Sequence, residues 1–357
     1  MRVLVVLAIA AIVGIGLWWH AGQQRAIPAD PAAVRPSEPV FEKVVFPTDQ
    51  QDLLEEPRAG VFQPTAAGVV ESALYGSVRT VRAGRGMAAS FHEGIDIAPL
   101  RRDARGMPLD RVYAVADGTV GYANRVAGNS NYGLYVVVVH DDPVGPVYTL
   151  YAHMASIEPG IRDGAAVRMG ETLGRMGNTP ASIIPASRAH LHFEVGMLSH
   201  SRFGDWCRAR RLPPDHGMFN GMNLLALDPR EFFRAQRETG RFTFRDFLRQ
   251  VPVAFEVLVR TGNPPDYFRR YPALWEGEKG QAASGGMVLS CSANGTPLRG
   301  RPAREDEIRG AAGRRAKVLS ADAGVLGRNG CHLVQRDGAG WRLGSKGDRW
   351  LEILTYP

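Results

Sequence analysis

The sequence predicts a mainly β protein: an antiparallel β-sheet or sandwich domain, preceded by an N-terminal membrane segment and followed by a mixed α+β extension. Three observations predict it. From about Val61 to Gly196 the chain consists of short β-branched and aromatic runs bounded by glycine turns. Ahead of them lies an apolar run without a charge, Val3 to Trp19. Beyond Gly196 apolar residues recur at helical spacing.

The apolar run follows Arg2. It exceeds the roughly 7–15 residues of a signal-peptide core and just reaches the roughly 17–25 of a spanning helix. Residues 1–22 are therefore read as a signal or membrane anchor. Trp19 and His20 stand where a small-residue cleavage site would be needed, which favours an uncleaved anchor over a cleaved signal. Arg2 and the terminal amine favour an inside N-terminus, so the bulk of the chain is expected outside the cytoplasm, in the cell envelope. Residues 23–58 read as a Pro-rich linker, with five prolines in "AIPADPAAVRPSEPVFEKVVFPTD" and no apolar period.

Residues 59–236 form the expected β domain, with almost no helix before Gly196. "VYAVADGTVGYA" (Val112 to Ala123), "YGLYVVVVHDD" and "VYTLYAHM" read as strands, and "AAVRMGETLGRMGN" adds short glycine-punctuated ones. An irregular insertion rich in Arg, Pro and Gly spans about 199–222. In "LLALDPREFFRAQ" a strand end leads into a helix, for which Asp228 supplies an N-cap and Pro229 a first-turn residue. Residues 237–281 read as a helical segment: Phe244, Phe247, Leu248 and Val251 share one face, and "NPPDYFRRY" opens a further short helix. Residues 282–357, with many glycine turns and runs such as "CHLVQ" and "RWLEILTY", read as a small β module. No internal repeat is present.

The 357 residues carry a net charge of +7. A basic surface suits an anionic membrane, an anionic wall polymer or nucleic acid. No basic helix with base-reading geometry occurs, so nucleic acid is excluded as the expected partner. The tight cluster Arg208, Arg210 and Arg211 reads as a solvated loop. Three cysteines, Cys207, Cys291 and Cys331, lack thiolate-metal spacing; Cys291 and Cys331 could pair in an oxidising compartment, or all three stay reduced.

Among nine histidines, four fall into a set with one aspartate. "FHEGIDIAP" holds His92 and Asp96, "LYAHM" holds His153, and "AHLHFEV" holds His190 and His192. Strand alternation projects His190 and His192 from one face and sends Leu191 and Phe193 into the core. One of the two imidazoles could ligate a metal while the other lies beside the bound solvent. His92 and Asp96, on a bent loop interrupted by Gly94, could reach the same ion. Two histidines and one aspartate leave a coordination position open, which is the arrangement of catalytic rather than structural zinc. "HEGID" also resembles the start of a helical HExxH motif, but position 96 is Asp and Gly94 weakens a helix, so Glu93 reads as a rim residue. His140 ends a strand-like run and is expected to make a local hydrogen bond.

These residues, in this order and spacing, resemble the lysostaphin-type (LytM-like) zinc endopeptidases of peptidoglycan, family M23. The resemblance rests on His92–Asp96, on Tyr151-Ala152-His153 and on His190-Leu191-His192-Phe193-Glu194. "GSVRTV", "VYAVADGTVGYA", "NYGLYVVVVH" and "LLALDPREFF" match its context, so that it covers about Gly68 to Phe233. It implies a duplicated-hybrid-motif-like fold. His92, Asp96 and His192 would hold Zn2+, and His153 and His190 would flank the bound water and the reacting carbonyl, with their two roles unassigned. It implies a zinc-dependent endopeptidase that hydrolyses amide bonds in peptidoglycan peptides during cell-wall remodelling. Two segments depart from the pattern: "RRDARGMPLD" is longer after the first motif, and "NTPASIIPASRAH" replaces a Gly-rich approach to the paired histidines. Both would lie near the groove and bear on substrate preference. The rival readings are a non-catalytic wall-binding or amidase-activating module, and a metallopeptidase for protein substrates.

Overall fold

The computed structural model describes residues 38–83, 86–278, 285–311, 313–327 and 333–357. The expected membrane segment, residues 1–22, lies outside the described residues, as does the linker up to residue 37. Among the described residues no helix is long and apolar enough to cross a membrane.

A hairpin of β1 (Val78–Ala83) and β2 (Gly86–Phe91) leads into the main sheet. That sheet has nine antiparallel strands: β3 (Ile95–Ile97), β4 (Arg111–Tyr113), β5 (Gly118–Asn124), β6 (Leu134–Asp142), β7 (Gly145–Ile157), β8 (Ala166–Val167), β9 (Thr172–Met176), β10 (Leu191–Leu198) and β11 (Leu224–Leu227). Its order is β11-β10-β7-β6-β5-β8, with β3 added to β10, and β9 joining β7 to β4. The unbroken apolar run in β6 has a physical reason: both faces of this part of the sheet are covered. Val136 and Val138 join the main core, whereas Tyr135, Val137 and Val139 pack with Tyr148, Leu150, Phe219 and Leu224 on the other side. Period-2 alternation is hidden from the sequence when neither face meets water.

The insertion supplies that second cover and is more ordered than its composition suggests. It contains α1 (Phe203–Ala209), whose Phe203, Trp206 and Cys207 pack on Ile353 near the C-terminus. Arg208 pairs with Asp205 and Arg210 with Glu352, so two of the three clustered arginines are held in ion pairs.

Residues 38–58 also differ from the expected tether. They form no helix or strand, yet Phe41, Phe46 and Leu53 are buried. Phe41 and Phe46 meet Phe232 and Phe233 edge-to-face, at centroid distances of 5.3 and 5.0 Å. Those partners stand on α2 (Pro229–Glu238), where the Asp228 side chain accepts from the Arg230 amide at 2.8 Å, as the Asp-Pro sequence implies.

The C-terminal extension combines α3 (Phe244–Gln250), α4 (Asp266–Arg270) and α5 (Ser345–Leu354) with a second antiparallel sheet of order β14-β13-β12-β15. Its strands are β12 (Phe255–Val259), β13 (Met287–Cys291), β14 (Pro297–Pro302) and β15 (Ala316–Ala321). β12 lies inside the stretch expected to be helical and is the central partner of β13 and β15, so the sheet crosses the expected boundary at 281/282. Phe255, Val257, Val259 and Tyr267 share one continuous core with Phe193, Val195 and Met197 of β10. Cys207 and Cys291 are buried free thiols, and Cys331 lies outside the described residues.

Candidate metal centre

Strand pairing brings the separated motifs together. In the β3–β10 ladder His192 stands opposite Asp96, and in the β10–β7 ladder the same His192 stands opposite Ala152, the neighbour of His153. His190 precedes β10 and pairs with Gly177, its amide donating to the Gly177 carbonyl at 3.0 Å. β3 can lie this close to β10 because Gly94 lacks a side chain: a Cβ there would stand 2.2 Å from the Phe193 carbonyl oxygen. Leu191 and Phe193 point into the core, as alternation requires.

Three donor atoms converge. His92 Nε2, Asp96 Oδ1 and His192 Nδ1 lie 3.1, 3.1 and 3.0 Å from one another, and all three residues are buried. Their outer hydrogen bonds favour tautomers that leave the inward nitrogens bare. His92 Nδ1 is 2.9 Å from the Leu74 carbonyl oxygen, an acceptor only, so Nδ1–H donates and Nε2 keeps its lone pair. His192 Nε2 is 2.9 Å from Glu194 Oε1, so Nε2–H donates there and Nδ1 keeps its lone pair. Two bare imidazole nitrogens and a carboxylate oxygen at about 3 Å repel unless a proton or a cation lies between them. A tetrahedral ion with bonds of about 2.0–2.1 Å needs donors roughly 3.3 Å apart, so this triangle fits Zn2+ with a small expansion. In the absence of an ion, burial opposes a charge on His192, but its hydrogen bonds to Asp96 and Glu194 and their charges outweigh burial and push it up to about 9.

Glu194, which the sequence did not single out, orients His192. It is fully buried and accepts three hydrogen bonds: from His192, from the Tyr132 hydroxyl at 2.8 Å and from the Tyr148 hydroxyl at 2.9 Å. Burial raises its carboxyl, but these bonds prevail and hold it below the ordinary value. The signal was present, since the alternation that aligns His190 with His192 also aligns Glu194 with them. Tyr132, in the turn before β6, and Tyr148, on β7, are distant in sequence and left no local signal.

The other two histidines border the triangle. The His153 ring lies 4.9 Å from that of His190 and 5.8 Å from that of His192. His153 Nδ1 donates to the Thr179 carbonyl at 2.8 Å, and His190 Nδ1 to the Arg188 carbonyl at 2.7 Å. Each Nε2 is thereby left as the acceptor, and His190 Nε2 lies 3.4 Å from Asp96 Oδ2. Burial, with the neighbouring imidazoles of His190 and His192, holds His153 well below its ordinary value and so neutral. His153 has φ of 62°, the left-handed region, a strain of about 1–3 kcal/mol of the kind found at functional positions. Thr179 fixes this corner: its hydroxyl donates to the Met154 carbonyl and accepts from the Leu134 amide.

The two unusual loops meet through another residue not foreseen. The half-buried Arg102 donates to the carbonyls of Gly106, Ala186 and Ala189 at 2.8, 2.9 and 3.1 Å, tying the loop after the first motif to the approach to His190. His140 lies apart, bonded to the Asp117 carbonyl and the Thr149 hydroxyl, as expected of a local hydrogen-bonding residue.

Residues 90–202, which contain all five of these positions, match Peptidase family M23. The match is confined to this segment, about a third of the chain. Among solved structures the chain is similar to the catalytic domain of the antimicrobial peptidase lysostaphin from Staphylococcus simulans, at 20% identity over 45% of this chain and 89% of that one, with a TM-score of 0.29. It is also similar to a variant of the catalytic domain of the prophage-encoded M23 protein EnpA from Enterococcus faecalis, at 20% identity over 33% of this chain and 80% of that one, with a TM-score of 0.23. A chain of the SpoIIIAH–SpoIIQ complex matches at 21% identity over 43% of this chain and 91% of that one, with a TM-score of 0.28. No curated protein matches the sequence. The M23 match ends at residue 202; beyond it, α2 through α5 and β11 through β15 share the main core, whereas α1 packs in a separate cluster with Ile353.

Proposed function

We propose that the M23 domain is a zinc-dependent endopeptidase that hydrolyses amide bonds in the peptides of peptidoglycan, acting outside the cytoplasm. The observation that carries this reading is the convergence of His92 Nε2, Asp96 Oδ1 and His192 Nδ1, each with a lone pair turned to one point. His92, Asp96 and His192 would hold the ion, leaving one tetrahedral position for water or substrate. Zn2+ held there would supply water acidified toward neutral pH and a Lewis acid for the scissile carbonyl.

The chain's own residues handle the protons. His153 and His190 each commit Nδ1–H to a main-chain carbonyl and offer Nε2 toward the centre. One accepts the proton released as the attacking oxygen adds to the carbonyl carbon. The other, once protonated, stabilises the carbonyl oxygen or supplies the proton that the leaving amine needs. Glu194 holds His192 in the tautomer that presents Nδ1, and Tyr132 and Tyr148 hold Glu194.

Digesting purified sacculi with the zinc-loaded protein, and identifying the new amine termini by mass spectrometry, tests this reading. New termini at one defined amide of the wall peptides are expected. A folded protein that binds no zinc and releases nothing would instead be a wall-binding or amidase-activating module. One that cuts protein substrates and leaves sacculi intact would be a peptidase of another substrate class.

A further inference from the structure

On the flank of the M23 domain, Arg101, Arg111 and Arg175 line a surface depression of about 600 Å3 together with Leu109, Thr172 and Glu158. Arg111 and Arg175 stand directly opposite each other in the β4–β9 ladder. Like charges at directly opposed positions repel, and an anion between them would relieve that repulsion; among the described residues Arg175 Nη2 donates only to the Leu109 carbonyl, at 3.4 Å. All three arginines are exposed, and among the described residues no ion pair joins any of them to a carboxylate. The nearby buried Asp110 does not serve: its carboxylate accepts from the Leu100 and Arg101 amides at 2.9 and 3.1 Å. Arg101 and Leu109 belong to the long loop after the first motif, whose Arg102 braces the approach to His190.

The position relative to the centre is fixed by the strands. Gly177, two residues after Arg175, is the residue paired with His190. At about 3.3 Å per strand residue, Arg175 lies roughly 7 Å along the strand from that pair. A guanidinium presents a planar fork of donors that matches a carboxylate. With Glu158 also lining it, the depression sets three arginines against one carboxylate, a small positive surplus that suits a small anion better than a dense polyanion.

We infer that Arg101, Arg111 and Arg175 form an anion subsite that takes a free carboxylate of the substrate peptide, two to three residues from the bond that is cut. The inference rests on the endopeptidase reading for the identity of that peptide, but the contact itself does not require hydrolysis. It gives the long loop a further function: the loop carries Arg101 beside the Arg111–Arg175 pair and so selects wall peptides that keep a free carboxylate at that position.

The test is binding to the full-length, metal-free protein, read by calorimetry. The probes are muropeptides released from sacculi, the same muropeptides with their carboxylates converted to amides, and a soluble glycerol-phosphate polymer. The wild-type protein is expected to bind the native muropeptides at least tenfold more tightly than the amidated ones. R111Q/R175Q is expected to lose that difference and to keep zinc binding. Its melting temperature should be equal or higher, because the substitution removes a repulsion; a purely structural pair would lower it. Equal binding of native and amidated muropeptides, or discrimination that survives in R111Q/R175Q, would overturn the inference, as would arginine-dependent binding of the phosphate polymer in preference to muropeptides. Carboxylate-dependent binding without any cutting by the zinc-loaded protein would sustain the subsite and sink only the endopeptidase reading.

Discussion

His192 faces Asp96 across the β3–β10 ladder, its Nδ1 3.0 Å from Asp96 Oδ1, while its Nε2 lies 2.9 Å from Glu194. One imidazole is thus held between two carboxylates with opposite tasks. Asp96 shares the point where three lone pairs meet, and Glu194 takes the proton-bearing nitrogen and so decides which lone pair is available.

Glu194→Gln should therefore weaken zinc affinity by about 10–100-fold, the usual cost of losing an outer-sphere partner of a ligating histidine. Competition with a fluorescent chelator reads this directly. Glu194→Ala should in addition destabilise the fold, because it strands the Tyr132 and Tyr148 hydroxyls in the interior at about 1–3 kcal/mol for each unsatisfied group. Urea denaturation of the metal-free protein measures that loss, and unchanged affinity in both variants would remove Glu194 from the account.

His153→Ala and His190→Ala separate proton handling from metal binding. Each should lower kcat by about 10²–10⁴-fold, as loss of a positioned acid or base does. Each should keep one zinc per chain, because neither nitrogen belongs to the triangle. Loss of zinc together with activity would show that the two imidazoles had been misassigned.

His140 provides a pH signature away from the centre. Burial lowers it to about 4, with the bond to the Asp117 carbonyl offsetting part of the effect. Its folded value lies below its unfolded one, so between about pH 6.5 and 4 the unfolded chain binds the extra proton and stability falls as pH falls. Asp142 and Asp228, both raised to about 6 by burial, act in the opposite sense, since the folded chain binds their protons first. The comparison with H140Q isolates the histidine: the stability advantage of the wild type should shrink by about 2–3 kcal/mol between pH 7.5 and 4.5. A constant difference across that range would contradict the account.

The parts of the molecule legible in the sequence are those where chemistry and period coincide. The alternation of His190, Leu191, His192 and Phe193 sorts them between site and core, and the Asp228-Pro229 pair marks the start of α2. Residues 38–58 were not legible, because Phe41, Phe46 and Leu53 are buried by a segment without regular structure, and irregular packing has no period. β12 was hidden among helical segments because a five-residue apolar run looks alike in a buried strand and a buried helix. Tyr132, Tyr148 and Arg102 act through partners 46 to 87 residues away, a relation only the sheet reveals.

The central claim is that three lone pairs at one point are a zinc site that cuts wall peptides. Metal analysis of the purified chain and of His192→Ala, with sacculus digestion by both, tests it most directly. The account predicts one zinc per wild-type chain and new amine termini in the sacculi, with both lost in a folded His192→Ala protein. Full digestion by metal-free wild type, or by a His192→Ala protein that binds no zinc, would contradict it.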